Sequence, residues 1–226
     1  MAEHSKRYRE AQKKIEAGKR YTTAEAVVVL KSLPRAKFNE TVEVSMRLGV
    51  DPKQAEQLVR GSVSLPKGLG KEVRVVAFCV GAQAEAAKAA GALDAGAEEL
   101  VAKVQGGWTD FDIAVAAPDM MRHVGKLGRV LGPLGKMPSP KSGTVAENVV
   151  QAVKEFRVGR IEYRTDATGN LHAPVGRVDF SEEDLRLNVE AFIAHIQAAR
   201  PASIKGAFVV AAYLSSTMSP AIRLAV

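Results

Sequence analysis

Between residues 41 and 50, apolar and polar side chains alternate one for one: Val42, Val44, Met46, Leu48 and Val50 interleave with Thr41, Glu43, Ser45, Arg47 and Gly49. A period of two sends the two sets to opposite sides of a strand, so the segment predicts a sheet with one buried and one solvated face. The run VRVVAFCV (73–80) has a different texture, apolar without interruption, as in a parallel sheet covered on both sides. It leads through Gly81 into the alanine-rich helix AQAEAAKAA, a second helix over Glu98 to Val104 and another buried strand, DIAVAA (112–117). Strand, helix and strand in alternation point to an α/β unit.

The flanks read differently. A polar, cation-rich helix is expected from Ser5 to Ala17, ending at Gly18, and a second begins at a capping box, Thr22 with Glu25, and stops near Pro34. A short helix over Gln54 to Val59 and a strand over Gly61 to Leu65 precede the turn-rich PKGLGK. The helix AENVVQAVKEF (146–156) closes the α/β unit. Beyond it, RIEYRTD, the turn ATGN and LHAPVGRVDF predict a hairpin or a loop-linked strand pair. Ser181, with Asp184 three residues on, caps a long helix whose Leu185, Val189, Phe192, Ile193 and Ile196 form one apolar stripe. AFVVAAYLSSTM and AIRLAV add two strands. The simplest arrangement is two domains of mixed class, α+β and α/β. An α+β domain with an antiparallel sheet is built from both termini (1–68 and 159–226), and a Rossmann-like α/β domain (69–158) is inserted into it.

The chain has 226 residues, 46% of them hydrophobic, enough to bury a sizeable core. No run approaches the roughly 18 to 20 apolar residues of a membrane span, and the N-terminus is charged with no apolar stretch behind it, so a cytoplasmic protein is expected. The single cysteine, Cys79, sits inside an apolar strand and reads as a structural thiol. The net charge of +7 is unevenly placed. Residues 1–68 hold 14 cations against 8 acids, residues 69–158 hold 11 against 10, and residues 159–226 hold 7 against 7. A basic excess in one third of a chain suits either a polyanion partner or a solvated basic helix.

Tests for enzyme chemistry fail one after another. In GRVLGPLGKMPSPKSGTV (128–145), Gly135-Lys136 is followed by Met137 and preceded five positions earlier by Val130, which excludes a nucleotide-binding P-loop. Of the dinucleotide fingerprint only Gly81 is present. His4, His123, His172 and His195 show no metal spacing with one another or with Cys79, and no Gly-x-Ser-x-Gly elbow occurs. Asp110 and Asp112 fit the solvated start of a strand, and Glu182, Glu183 and Asp184 fit the first turn of a helix. No catalytic residue, cofactor or metal is called for. By contrast Lys37, Phe38, Thr41, Glu43 and Arg47 place cations, a ring and a hydroxyl near one side of a strand, a mix suited to phosphates, 2′-hydroxyls and a stacked base. A merely wet sheet face would look similar.

Five separated motifs sharpen this: KFNETVEV, RGSVSLPKGLGK, LGRVLGPLGKMPSPKSGTV, GRIEYRTDATGNLHAPVGR and STMSP. In this order and spacing they resemble the ribosomal protein L-one family over a region from about residue 20 to the C-terminus. The resemblance implies the same two-domain fold, with no enzyme activity. It implies binding to large-subunit rRNA at the mobile exit-side stalk, help in moving and releasing deacylated tRNA at the exit site, and repression through the protein's own operon mRNA. A monomer when free, residing on the ribosome in the cytoplasm, goes with it. Carried over by motif, the RNA-binding residues are Lys37, Phe38, Thr41 and Glu43 with Ser216, Thr217 and Met218, and Lys136 and Lys141 supply secondary RNA contacts. The chain departs from the family at Ser219, where glycine is usual, at Leu134, where arginine is usual, and at Lys136, where an apolar residue is usual. A phosphate-binding α/β enzyme, with residues 128–145 as an anion site, is the competing expectation.

Overall fold

The computed structural model describes residues 5–54 and 56–226. Helices α1 (Lys6–Lys13) and α2 (Thr23–Ser32) precede β1 (Thr41–Leu48) and β2 (Arg60–Ser64). Then β3 (Val75–Phe78), α3 (Ala82–Ala89), β4 (Asp94–Gly96), α4 (Glu98–Gln105) and β5 (Ile113–Ala116) alternate. Two single-turn helices, α5 (Met121–Val124) and α6 (Gly128–Leu131), lead to α7 (Val149–Val158). Strands β6 (Arg160–Arg164) and β7 (Asn170–Arg177), helix α8 (Glu182–Ala198) and strands β8 (Val209–Ser216) and β9 (Ile222–Arg223) follow. The chain falls into two compact units, Met1–Gly70 with Ile161–Val226, and Lys71–Arg160.

In the first unit, a four-stranded antiparallel sheet has the order β7-β1-β8-β9. The alternation read from the sequence sets its sides: Val42, Val44, Met46 and Leu48 are buried, and the core they enter includes Ala26, Val27 and Leu30 of α2 and the predicted stripe of α8. Each such fully buried aliphatic or aromatic side chain contributes about 2 kcal/mol. Both helices start as their caps predict. The Thr22 backbone donates to Glu25 Oε2 (3.0 Å) while Glu25 N donates to Thr22 Oγ1 (3.4 Å), and Asp184 N donates to Ser181 Oγ (3.0 Å). Asn188, a polar residue fully buried on α8, is satisfied by donating to the carbonyls of Gly68 (2.9 Å) and Val175 (2.8 Å) and accepting from Lys67 N (3.0 Å).

In the second unit, three parallel strands have the order β4-β3-β5. Strand β3 feeds two cores. Val76 and Phe78 pack with Leu100, Val101 and Val104 of α4, while Val75, Ala77 and Cys79 pack with Ala87 of α3 and Val149, Val153 and Phe156 of α7. The sheet is therefore covered on both faces, which is why its central strand carries no polar residue. Gly81 joins β3 to α3 at φ 60°, ψ −134°, a conformation open to glycine alone, so it serves a turn and no dinucleotide fingerprint is needed to explain it. Burial raises the Cys79 thiol pKa, as suits an inert packing group.

Several local expectations are corrected. Helix α1 ends at Lys13 and not near Ala17, because Glu16 N donates to the Tyr21 hydroxyl (3.0 Å) and the helical ladder cannot continue. Around Gln54 the described chain makes turns, not a helix: Gln54 N bonds to the Asp51 carbonyl and Gln57 Oε1 accepts from Asp51 N. Helix α7 starts at Val149 with Asn148 as its cap, three residues later than expected, since Ala146 N is held by the Ala116 carbonyl (3.2 Å). Strands β6 and β7 part after a single Thr165–Leu171 bridge, β6 pairing with β2 and β7 with β1, so they are a loop-linked pair and no hairpin. Strand β4, with the sequence DAG, was not expected at all.

Candidate nucleic-acid interface

Strand β1 begins where β8 ends: Thr41 stands opposite Arg177 on one side, and Val42 stands opposite Ser216 on the other. This register brings the loop before β1 (Ala36 to Glu40) against the turn after β8 (Thr217 to Pro220). Glu40 ties the two together. Its side chain is buried (3% exposed), and it accepts from the Ser216 hydroxyl (2.5 Å), from Ala36 N (2.6 Å) and from Met218 N (3.2 Å). Burial works against ionisation of this carboxyl, yet the donors of Ser216, Ala36 and Met218 and the nearby charge of Arg7 outweigh it and hold its pKa below the ordinary value. Thr217 reinforces the junction: its N–H donates to the Thr41 carbonyl (3.0 Å) and its Oγ1 accepts from Thr41 N (3.1 Å).

The junction displays two apolar side chains among polar ones. Phe38 is 54% exposed and Met218 is 48% exposed, one from each side of the Glu40 clamp. Lys37, Asn39 and Thr217 are exposed beside them, Thr41 is half-exposed, and Ser216 is buried beneath, with its hydroxyl given to Glu40. Glu43 lies exposed on β1 itself. The structure thus brings Lys37, Phe38, Thr41, Ser216, Thr217 and Met218 to one corner of the first unit, but Lys37 and Phe38 sit on a loop and not on the strand face. Ser219 folds its hydroxyl inward, accepting from Ser216 N (2.8 Å) and donating to the Pro220 carbonyl (3.1 Å). Its φ is negative, so serine adopts this turn without strain.

From this corner the open face of the sheet continues along Glu43, Ser45 and Arg47. Ser45 is flanked by His172 on β7 and Tyr213 on β8, and its Oγ lies 3.0 Å from His172 Nδ1. Arg223 on β9 stands opposite Tyr213. A shallow depression of about 380 Å³ is lined by Ser45, Arg47, Asn170, His172, Tyr213 and Arg223. Two guanidinium groups, an imidazole and a phenol on one open surface offer phosphate contacts and hydroxyl partners. Of these residues the sequence pattern singles out Arg47 but neither Glu40 nor His172, Tyr213 and Arg223. The strand alternation around Tyr213 would have indicated the outward-facing set, but nothing local marks Glu40 as buried.

The second unit treats its expected contacts differently. Lys136 donates to the Thr109 carbonyl (2.9 Å) and lies 5.3 Å from the Phe111 ring centroid, so its charge is engaged within the unit. Lys141 lies on the turn Pro140–Ser142, its side chain outside the described residues. Residues 128–145 are not an isolated loop. Buried Ser142 and Thr144 hydrogen-bond each other and Ser139, and Val145 bridges Ala116 in parallel, so the segment's second half extends the sheet. Leu134, at the turn, is 51% exposed.

The histidines have local partners: His123 lies 3.5 Å from Glu98, and His195 lies 3.0 Å from the Tyr163 hydroxyl, while His4 lies outside the described residues. Asp112 pairs with Arg74 and Lys71; burial opposes its charge, but these partners lower its pKa. Among the described residues no cluster of ligating side chains fits a metal ion, and no helix is long and apolar enough to cross a membrane.

A profile of the ribosomal protein L1p/L10e family matches residues 30–220, which include both sides of the Glu40 junction. The chain belongs to that family. Two relatives, each bearing the name large ribosomal subunit protein uL1, come from Kosmotoga olearia and Protochlamydia amoebophila. Both are 49% identical over 224 residues, spanning 99% of this chain and 97% and 95% of the respective relatives. Family membership therefore rests on almost the whole length, and the mixed antiparallel and parallel architecture is compatible with it.

Proposed function

We propose that the chain is a structural constituent of the large ribosomal subunit and holds large-subunit rRNA through the Phe38–Met218 corner and the adjoining sheet face. The observation that carries this reading is the clamp at Glu40. Exposed apolar side chains normally cost solubility, and here two are presented from segments fixed to each other by a buried, fully bonded carboxylate. A surface built that way is preorganised for a base to stack on Phe38, with Thr217 and Thr41 near the ribose hydroxyls. The names of the relatives support the ribosomal assignment.

Within this reading the two compact units are domains, and the first carries the rRNA affinity. The bound rRNA is the mobile stalk on the exit side, and the protein assists movement and release of deacylated tRNA there. The same surface takes a similar RNA structure in the protein's own messenger and represses its translation. If one surface serves both RNAs, an rRNA fragment and the messenger leader compete for the protein, and Phe38→Ala weakens both by similar factors. Simultaneous binding of the two RNAs in a gel-shift competition would contradict the shared surface.

A further inference from the structure

Several cations of the second unit are engaged within it. Lys71 and Arg74 pair with Asp112, Lys88 and Lys103 with Asp94, Arg160 with Glu155, and Lys136 with a carbonyl. Along α5 and α6, by contrast, Arg122, Lys126 and Arg129 are all exposed, and among the described residues none of the three makes a hydrogen bond or ion pair. They follow one another at steps of four and three, opposite the buried Val124, Leu127 and Leu131, so they share the outward side of a helical path. From residue 120 to residue 146 the sequence contains no aspartate or glutamate to neutralise them. The stretch itself supplies no counter-charge, and the acid nearest it on α4, Glu98, is directed at His123 (3.5 Å).

Two glycines lie between these cations without a structural reason of their own. Gly125 (φ −53°, ψ −32°) and Gly128 (φ −54°, ψ −33°) have ordinary right-handed helical dihedrals, which any residue adopts. A Cβ at either position would meet no atom within 4 Å. Neighbouring glycines differ: at Gly132 a Cβ would approach the Gly128 carbonyl to 2.4 Å, and Gly135 has φ +69°. Glycine in a helix weakens it relative to alanine, so at 125 and 128 the chain forgoes stability to leave backbone uncovered. Bare backbone flanked by unpaired cations suits a partner whose own backbone is anionic and comes close. Residues 118–133 expose no large apolar side chain that would anchor a protein partner.

We propose that the ridge of Arg122, Lys126 and Arg129, with the uncovered backbone of Gly125 and Gly128, is a docking surface for the phosphate backbone of an RNA helix, separate from the interface on the first unit. The choice of RNA as the polyanion rests on the reading of the chain as a ribosomal component; the existence of the ridge does not. The test uses the full chain, a labelled RNA duplex of arbitrary sequence and, separately, the rRNA fragment. In R122Q/K126Q/R129Q, duplex affinity is expected to fall about tenfold or more, and the slope of log affinity against log salt to drop by about 2 to 3. The rRNA-fragment affinity of that variant stays within about twofold, since the ridge and the Phe38 corner bind through different contacts.

A second variant separates binding from folding: G125A/G128A is expected to melt a few degrees higher while binding the duplex several-fold more weakly. Unchanged duplex affinity and salt slope in the triple glutamine variant would overturn the proposal. Full duplex affinity in the double alanine variant would overturn the role of the bare backbone. Competition by polyglutamate as strong as by RNA at equal charge would overturn the assignment to RNA. If the wild-type chain binds the duplex through the ridge but does not bind the rRNA fragment, the function proposed above fails while the ridge stands.

Discussion

At the Phe38–Met218 corner every polar group beneath the surface is tied to another: Glu40 to Ser216, Ala36 and Met218, and Thr217 to Thr41. Along Arg122, Lys126 and Arg129 the side chains are tied to nothing in the described structure. The first region has fixed its geometry before any ligand arrives, and the second has kept only charge and access. Preorganised polar and aromatic contacts discriminate between RNA shapes, whereas free cations attract any phosphate backbone and weaken with salt. The contrast separates two ways of meeting RNA, one by fixed shape and one by charge alone.

The largest effect is expected where the corner's geometry is held. Glu40→Ala leaves the buried Ser216 hydroxyl without its acceptor, at about 1 to 3 kcal/mol, and frees the part-buried N–H groups of Ala36 and Met218 at a smaller cost each, so the two loops then move independently. Stability falls by about 3 kcal/mol or more in urea unfolding, and rRNA affinity drops about a hundredfold. The same residue sets a pH dependence. Its folded carboxyl pKa is depressed, so its contribution is fully present above about 4.3, the ordinary glutamate value, and is lost as pH falls through the lower folded value. Stability of the wild type should therefore show an acid-side loss that Glu40→Gln lacks.

Next in size is Phe38→Ala, expected to weaken rRNA binding by about 1 to 3 kcal/mol with unfolding nearly unchanged, because the ring is exposed in the free protein and stacks only in the complex. Thr217→Ala follows at about 1 kcal/mol from lost hydroxyl contacts. Lys141→Ala is the smallest, about threefold or less, with the salt slope reduced by about one. Filter-binding titrations of the three variants at two salt concentrations give the order. Equal losses for all three would erase the distinction between the corner and peripheral charge.

Much of this was legible in the sequence because local patterns with physical causes repeat along it. Alternation from Val42 to Leu48 set the sheet's sides, the uninterrupted VRVVAFCV announced a strand covered twice, and the Thr22 and Ser181 caps marked helix starts. Lost were features decided at a distance. Strand β4 is three residues long and polar at its start, and it exists because β3 offers it partners, Leu93 N being taken by the Val75 carbonyl. Helix α1 stops early for a tyrosine beyond its end. Glu40 looks in sequence like one more charge before a strand, and only its partner on a segment 176 positions away makes it a buried clamp. Phe38 stands out by residue chemistry and Met218 only through resemblance; what the fold adds is that a single carboxylate places them together.

On the proposed reading, rRNA recognition resides in the first unit, in the corner organised by Glu40. It is tested most directly by joining residues 1–70 to 161–226 through a short flexible linker, verifying cooperative unfolding, and titrating the product with the rRNA fragment. The prediction is an affinity within about tenfold of the full chain's, with a further large loss on adding Phe38→Ala. A cooperatively folded product without rRNA affinity, while residues 71–160 bind the fragment alone, would contradict it.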